Sequence, residues 1–244
     1  ELYTKYNVKR GLRNNDGTGV LVGLTNIGDA HGYTIYEGDK VPDEGVLSYR
    51  GINVSDIVET CKKEKRHGFE EVMYLLLFGS LPDKDSLKSF SDLLGRKRNL
   101  PGGFTEDMIL KAPSSDIMNK LARSILVCYS YDDNPDDISM ENMLRQSINL
   151  IARIPTMVVY GYYAKAHYYD KKSLIIHEPN PDLSTAENFL HMVRADNQYS
   201  SLEADVLDTA LILHAEHGGG NNSTFSTHVV SSTGTDTYSA IAAA

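Results

Sequence analysis

Once Gly51 is passed, apolar residues recur at helical spacing along most of the chain. Ile57, Val58 and Cys61 begin the pattern, and Phe69, Val72, Met73, Leu76 and Leu77 continue it, so both stretches predict helices with one buried face. The second ends at Gly79 and turns at Pro82, and a charged helix from Lys84 to Arg98 follows until "NLPGG" stops it. Another helix is expected from Asp116 to Ser130, where the acidic loop "YDDNPDD" interrupts. Ser139 caps a long helix reaching about Lys165, with Pro155 inside it and a kink expected near Ile151. Ser184 with Glu187, and Ser200 with Glu203, have the spacing of capping boxes, in which a serine and a glutamate satisfy each other's backbone amides at the start of a helix. In the helix opened by Ser200, Leu202, Val206, Ala210 and Leu213 fall on one stripe, with Leu207 and Leu211 beside it. That helix is expected to bury a broad face, with His214 continuing the second stripe.

The N-terminal part has another texture. From Asn14 to Val54 it is rich in glycine, with β-prone pieces at Tyr33 to Tyr36 and Gly45 to Tyr49 between turn residues. The expectation is an all-α fold in which residues 1–52 form an N-terminal segment with short strands and residues 53–244 a helical domain.

Composition narrows the function. The chain has 244 residues, 41% hydrophobic and 23% charged, the balance of a soluble globular protein large enough to bury a core. Its formal charge is −9, and its longest basic cluster, Lys62, Lys63, Lys65 and Arg66, has no interleaved aromatics and reads as a solvated helix end. Nucleic acid is not an expected partner, and an anionic substrate would need a local pocket of donors. Asp132, Asp133, Asp136 and Asp137 read as a solvated loop, and Cys61 and Cys128 as buried, reduced thiols. No apolar run is long enough for a membrane helix and no signal-peptide pattern opens the chain, so a cytoplasmic protein without a membrane partner is expected. The chain begins with Glu1 and stops within "YSAIAAA", an uncapped helix-forming run, which reads as a piece of something longer.

The chemistry concentrates in "LILHAEHGGGNNS", residues 211–223. One reading is a helix that ends in a glycine cap at Gly218 to Gly220, with His217 a partner of the helix dipole. A metal site from His214, His217 and Glu216 or His228 is a weaker reading, because the zincin pattern places its histidines four apart and no other ligand cluster is evident. A phosphate cradle fails, since no Lys-Ser or Lys-Thr follows the glycines. The remaining reading is a ligand-facing imidazole with Asn221, Asn222 and Ser223 as further hydrogen-bonding groups.

A family resemblance selects among these. "LDTALILHAEHGGGNNSTFSTHVVSSTGTDTYSAIAAA" resembles the segment of citrate synthases in which a helix ends in His-Ala-(Asp/Glu)-His, followed by an Asn-x-Ser/Thr stretch and a small-residue helix. "GVLSYRGINVSDIVE" is similar to the family's Tyr-Arg-Gly-Ile entry, "FEEVMYLLLFGSLP" to its Phe-Glu-Glu helix, and "PDLSTAENFLHMV" to its segment ahead of the histidine helix. The resemblance covers nearly the whole chain, most weakly at the N-terminus and between about Ser86 and Ile138.

It implies the N-terminal part of the helical large domain of an enzyme that condenses oxaloacetate with acetyl-CoA and hydrolyses the citryl thioester. No metal and no organic cofactor is implied, acetyl-CoA being a substrate. The reaction needs a base for a weakly acidic methyl group, a donor to the enolate and a donor to the ketone under attack. By the resemblance His217 binds oxaloacetate and polarises its ketone, with Asn221 and Ser223 lining the pocket. The enolate-stabilising histidine, the aspartate base and the carboxylate-binding arginines would lie beyond Ala244, so no catalytic residue is assigned within the chain and the 244 residues alone are expected to be inactive. A homodimer is expected, from family helices packing across a two-fold axis and from an apolar surplus in the helices Asp116 to Ser130 and Ser139 to Lys165, "MVVYGYYA" above all. The alternatives are a 2-methylcitrate synthase using propionyl-CoA, and, for the isolated piece, a non-catalytic helical dimerisation domain. Arg50 is expected to hold the strand-to-helix turn, and His191 and His228 to be packing or surface residues.

Overall fold

The structure, a computed structural model, describes residues 2–6, 8–9, 11–15, 17–20, 24–218 and 221–244. After the short helix α1 (Leu2–Lys5), strands β1 (Gly28–Tyr36) and β2 (Asp39–Tyr49) form an antiparallel hairpin, to which β3 (Ile52–Asn53) adds a short third strand. Both hairpin strands are longer than the β-prone pieces predicted, and most of their length is exposed on both faces. Only its root is buried, where Tyr49 enters the helical core.

The rest is helical: α2 (Val54–Glu64), α3 (Phe69–Phe78), α4 (Lys84–Lys97), α5 (Ile117–Val127), α6 (Met140–Tyr168), α7 (Thr185–Val193), α8 (Ser201–Leu213), α9 (Asn222–Ser231) and α10 (Thr237–Ala242). The all-α expectation holds, with the sheet as an appendage. Ser139 caps α6 and both capping boxes form reciprocally, as predicted, and Asp83 and Asp116, not predicted as caps, accept a backbone N–H at the starts of α4 and α5. A π-helical turn at Thr105–Leu110 carries no signal that periodicity detects. Its Met108 carbonyl is met by the ammonium group of the buried Lys120, which also bonds the Ala112 oxygen just beyond the turn. The helix α6 continues unbroken past Pro155.

Two apolar clusters carry most of the core. One gathers Tyr49, Val54, Ile57, Cys61, Val72, Leu75 and Ile212 from β2, α2, α3 and α8. The other packs Met157 and Tyr160 of α6 against side chains of α5, α7, α10 and the π turn with its flank, among them Phe104, Ile109, Ile125, Met192 and Tyr238. This narrows the basis of the dimer expectation. Met157, Val159, Tyr160, Tyr163 and Ala164 of "MVVYGYYA" are buried within the chain itself, and of that stretch Tyr162 is the large side chain left exposed. Cys61 and Cys128 are buried free thiols, each pushed up to about 11 by burial. Among the described residues no helix is long and apolar enough to cross a membrane.

Candidate functional site

The site begins with the way α8 is seated. Its buried face is Ala204, Asp208 and Ile212, while the stripe expected to be buried, Leu202, Val206 and Leu213, is exposed. The reason is Asp208. Its carboxylate accepts the N–H groups of Gly68 at 2.8 Å and Phe69 at 3.2 Å, completing the start of α3, which has no side-chain cap of its own. Burial raises the Asp208 pKa, and the two amide bonds oppose that rise. The displaced apolar stripe lines a groove of about 1020 Å³ with Val58, Lys62, Tyr199 and Thr209; His217 is not among its walls.

Helix α8 ends four residues earlier than its histidines suggested. Leu213 is its last residue and His214 its cap. The exposed His214 takes the helix-end role that the sequence offered to His217, its Nδ1 donating to the Ala210 carbonyl at 2.7 Å. The expectation that His214 continues a buried stripe is therefore corrected.

Beyond the helix the chain is tied down from two sides. The fully buried Tyr49 donates its hydroxyl proton to the Ile212 carbonyl at 2.7 Å, and the same oxygen accepts the Glu216 N–H at 3.3 Å. Burial raises the Tyr49 pKa, which keeps this hydroxyl protonated. Glu216 Oε1 then accepts two consecutive amides, His217 N–H at 2.9 Å and Gly218 N–H at 2.6 Å. Gly28, at the root of β1, lies against this turn so closely that a Cβ there would stand 2.5 Å from Glu216 Cγ. Gly218 is buried with φ +90°, a conformation that favours glycine. Gly219 and Gly220, part of the expected glycine cap, lie outside the described residues.

His217 is exposed, and among the described residues no hydrogen bond or ion pair holds its imidazole. The other two candidates are already engaged. Asn221 Oδ1 caps α9 by accepting the Ser223 N–H at 2.8 Å, and Ser223 Oγ donates to the Ala244 carbonyl at 2.8 Å. The loop closes through the Asn221 N–H, which donates to the Gly218 carbonyl at 3.4 Å. The arrangement is thus one open imidazole on a restrained turn, followed at once by a capped helix start. Among the described residues no group of three or more His, Cys, Asp or Glu side chains is gathered as metal ligands. Arg50 is structural, as expected: it donates to the Leu76 carbonyl at 2.9 Å and Asn26 Oδ1 at 3.3 Å.

Residues 16–244 match the family model described as citrate synthase, C-terminal domain. The chain belongs to the citrate synthase family. It is 34% identical over 209 residues to 2-methylcitrate synthase 1 of Corynebacterium glutamicum, covering 84% of this chain and 51% of that protein. It is 32% identical over 242 residues to the citrate synthase of Haloferax volcanii, covering 97% of this chain and 56% of that protein. The solved structure of the citrate synthase from Pyrobaculum aerophilum superposes with a TM-score of 0.76 at 28% identity, over 95% of this chain and 55% of that one. The chain spans about half the length of the curated relatives it matches. Membership places it among enzymes of the acyltransferase kind, and relatives of both the citrate and the 2-methylcitrate type leave the acyl group undecided.

Sequence reasoning missed one further buried site. Asp132, read as part of a solvated loop, accepts from Tyr238 Oη at 2.6 Å, Arg145 at 2.7 Å, Gln146 at 3.0 Å and the Asn134 N–H at 3.1 Å. Asp133, Asp136 and Asp137 are exposed as expected. Only the Asp132-to-Asn134 turn was visible locally; the groups that bury Asp132 come from α6 and α10.

Proposed function

We propose that this chain is the oxaloacetate-binding portion of an enzyme that condenses oxaloacetate with acetyl-CoA to give citrate and CoA. The observation that carries the reading is the exposed imidazole of His217, without a partner among the described residues, on a turn restrained by Tyr49, Glu216 and Gly28. A ring N–H held there donates to the ketone oxygen of oxaloacetate, and the bond strengthens as that oxygen gains charge during attack by the acetyl-derived enolate. Asn221 and Ser223 line the same pocket, Asn221 chiefly by holding the start of α9 in place. The base that removes the methyl proton, the donor to the enolate and the arginines for the substrate carboxylates come from outside these 244 residues, so the chain alone is inactive. No metal or organic cofactor takes part.

The enzyme works in the cytoplasm as a homodimer. Free buried thiols support the compartment, and the exposed Met118, Leu126 and Met140 on α5 and α6 support a two-fold helical interface. A 2-methylcitrate synthase using propionyl-CoA is the second reading, favoured by the Corynebacterium relative. For the isolated piece a helical dimerisation role is the remaining one.

The test is steady-state kinetics of the full-length protein with oxaloacetate and each thioester. A higher kcat/KM for acetyl-CoA supports the first reading and a higher one for propionyl-CoA the second. No oxaloacetate-dependent thiol release with either overturns both.

A further inference from the structure

We infer that Glu216 is a positioning residue for His217: its carboxylate fixes the backbone that carries the imidazole and does not itself touch the substrate. The inference rests on the reading of His217 as the oxaloacetate ligand.

A short loop between two helices has many backbone conformations, and an imidazole at its centre would sample as many directions. Donor placement matters, because misplacement by about 1 Å can cost on the order of a hundredfold in rate. Three features reduce that freedom here. Glu216 Oε1 accepts the N–H groups of His217 and Gly218 at 2.9 and 2.6 Å, so two successive peptide planes converge on one oxygen. The backbone N–H of Glu216 is in turn held by Tyr49 Oη, which also binds the last turn of α8 through the Ile212 carbonyl. The side chain of Glu216 is backed by Gly28, where any Cβ would come within 2.5 Å of its Cγ. The carboxylate is therefore wedged between the root of the hairpin and the loop, with one oxygen engaged by both amides. A glutamate aimed at substrate would leave these amides unmet and would bring a negative charge towards a dicarboxylate, which is unfavourable.

The experiment uses the full-length protein and the variants Glu216→Ala, Glu216→Gln and Tyr49→Phe, each made alone and in a His217→Ala background. Melting temperature is measured alongside kcat and KM for both substrates. Expected is a loss of roughly tenfold or more in kcat/KM for oxaloacetate with Glu216→Ala. KM for the thioester should stay within about twofold, because only the oxaloacetate donor is displaced. Glu216→Gln keeps an oxygen that accepts the two amides and should restore most of the loss. In the His217→Ala background, Glu216→Ala should cost less than about twofold, since its effect runs through a side chain already removed.

Equal losses from Glu216→Ala in both backgrounds would overturn the inference, as would Glu216→Gln behaving like Glu216→Ala. If Glu216→Ala does not fold, Tyr49→Phe carries the same test: a loss confined to oxaloacetate and absent beside His217→Ala supports positioning, and no loss overturns it. Failure of the underlying reading is recognised separately, by His217→Ala alone keeping its kinetics.

Discussion

Asp132 and Glu216 each stand in a loop near the end of a helix, and each gathers donors onto one carboxylate, yet they leave their surroundings in opposite states. Around Asp132 the donors are side chains: Tyr238 from α10, and Arg145 and Gln146 from α6. Gln146 passes the network on by accepting the Thr237 hydroxyl at 2.5 Å, and the Asp132 side chain is 3% exposed. The Asp132 carboxylate is fully engaged by protein donors, and the cluster joins its loop to α6 and α10. Around Glu216 the donors are backbone amides alone. The neighbouring imidazole is exposed and has no bond among the described residues. The difference separates a polar cluster that holds a fold together from one that leaves a neighbouring side chain open. Satisfied buried networks rigidify a structure, and a side chain left open beside a rigid turn is free to meet a ligand.

The comparison breaks most visibly at Asp132. Asp132→Ala leaves Tyr238, Arg145 and Gln146 without their shared acceptor, and the expected loss of stability is about 3–5 kcal/mol, read as the shift in urea midpoint. A loss of under about 1 kcal/mol would show the cluster to be dispensable.

At the other site the signature inverts. In the full-length protein His217→Ala should lower kcat/KM for oxaloacetate by about 3 kcal/mol, on the order of a hundredfold, while the melting temperature stays within roughly two degrees. If His217→Ala melts early while His214→Ala abolishes turnover, the two histidines have been assigned the wrong way round.

Acid sharpens the contrast. Burial works against the charged form of Asp132, but the bonds from Tyr238, Asn134, Arg145 and Gln146 together outweigh it and hold the carboxyl down at about 2, against 3.8 ordinarily. A carboxyl depressed in the folded state contributes stability that is present above the unfolded value and lost as pH falls through the folded one. Here that is about 2 kcal/mol, lost between roughly pH 4 and pH 2. Asp132→Asn should remove that part of the acid sensitivity, as seen in melts across the same range, and an unchanged acid profile would contradict it.

The smallest effect belongs to Asn221. Its Oδ1 caps α9, so Asn221→Ala should cost about 1 kcal/mol, visible as faster amide exchange in the first turn of α9. Asn221→Asp and Asn221→Ser should restore the protection, and failure of both would show that the cap is not what orders the turn.

What the sequence by itself determined were features whose partners lie close along the chain. Ser139, Ser184 and Ser200 were legible as caps because a cap and the amide it binds are three residues apart. Gly79 was legible as a stop for a similar local reason, taking φ +87° directly after α3. The motif around His217 was readable as a string of residue types, which is why the family was recognisable there.

Tertiary structure alone decided which faces and which polar groups were used. Periodicity marked Leu202, Val206 and Leu213 as a stripe to bury, yet they are 71%, 61% and 48% exposed. The other face of α8 is turned inward because Asp208 binds the amide of Gly68, 140 residues away. Tyr49 reaches the Glu216 amide across 167 residues, and Tyr238 reaches Asp132 across 106. Such bonds depend on two distant backbones arriving within about 3 Å of each other, and no spacing within either segment encodes that arrival.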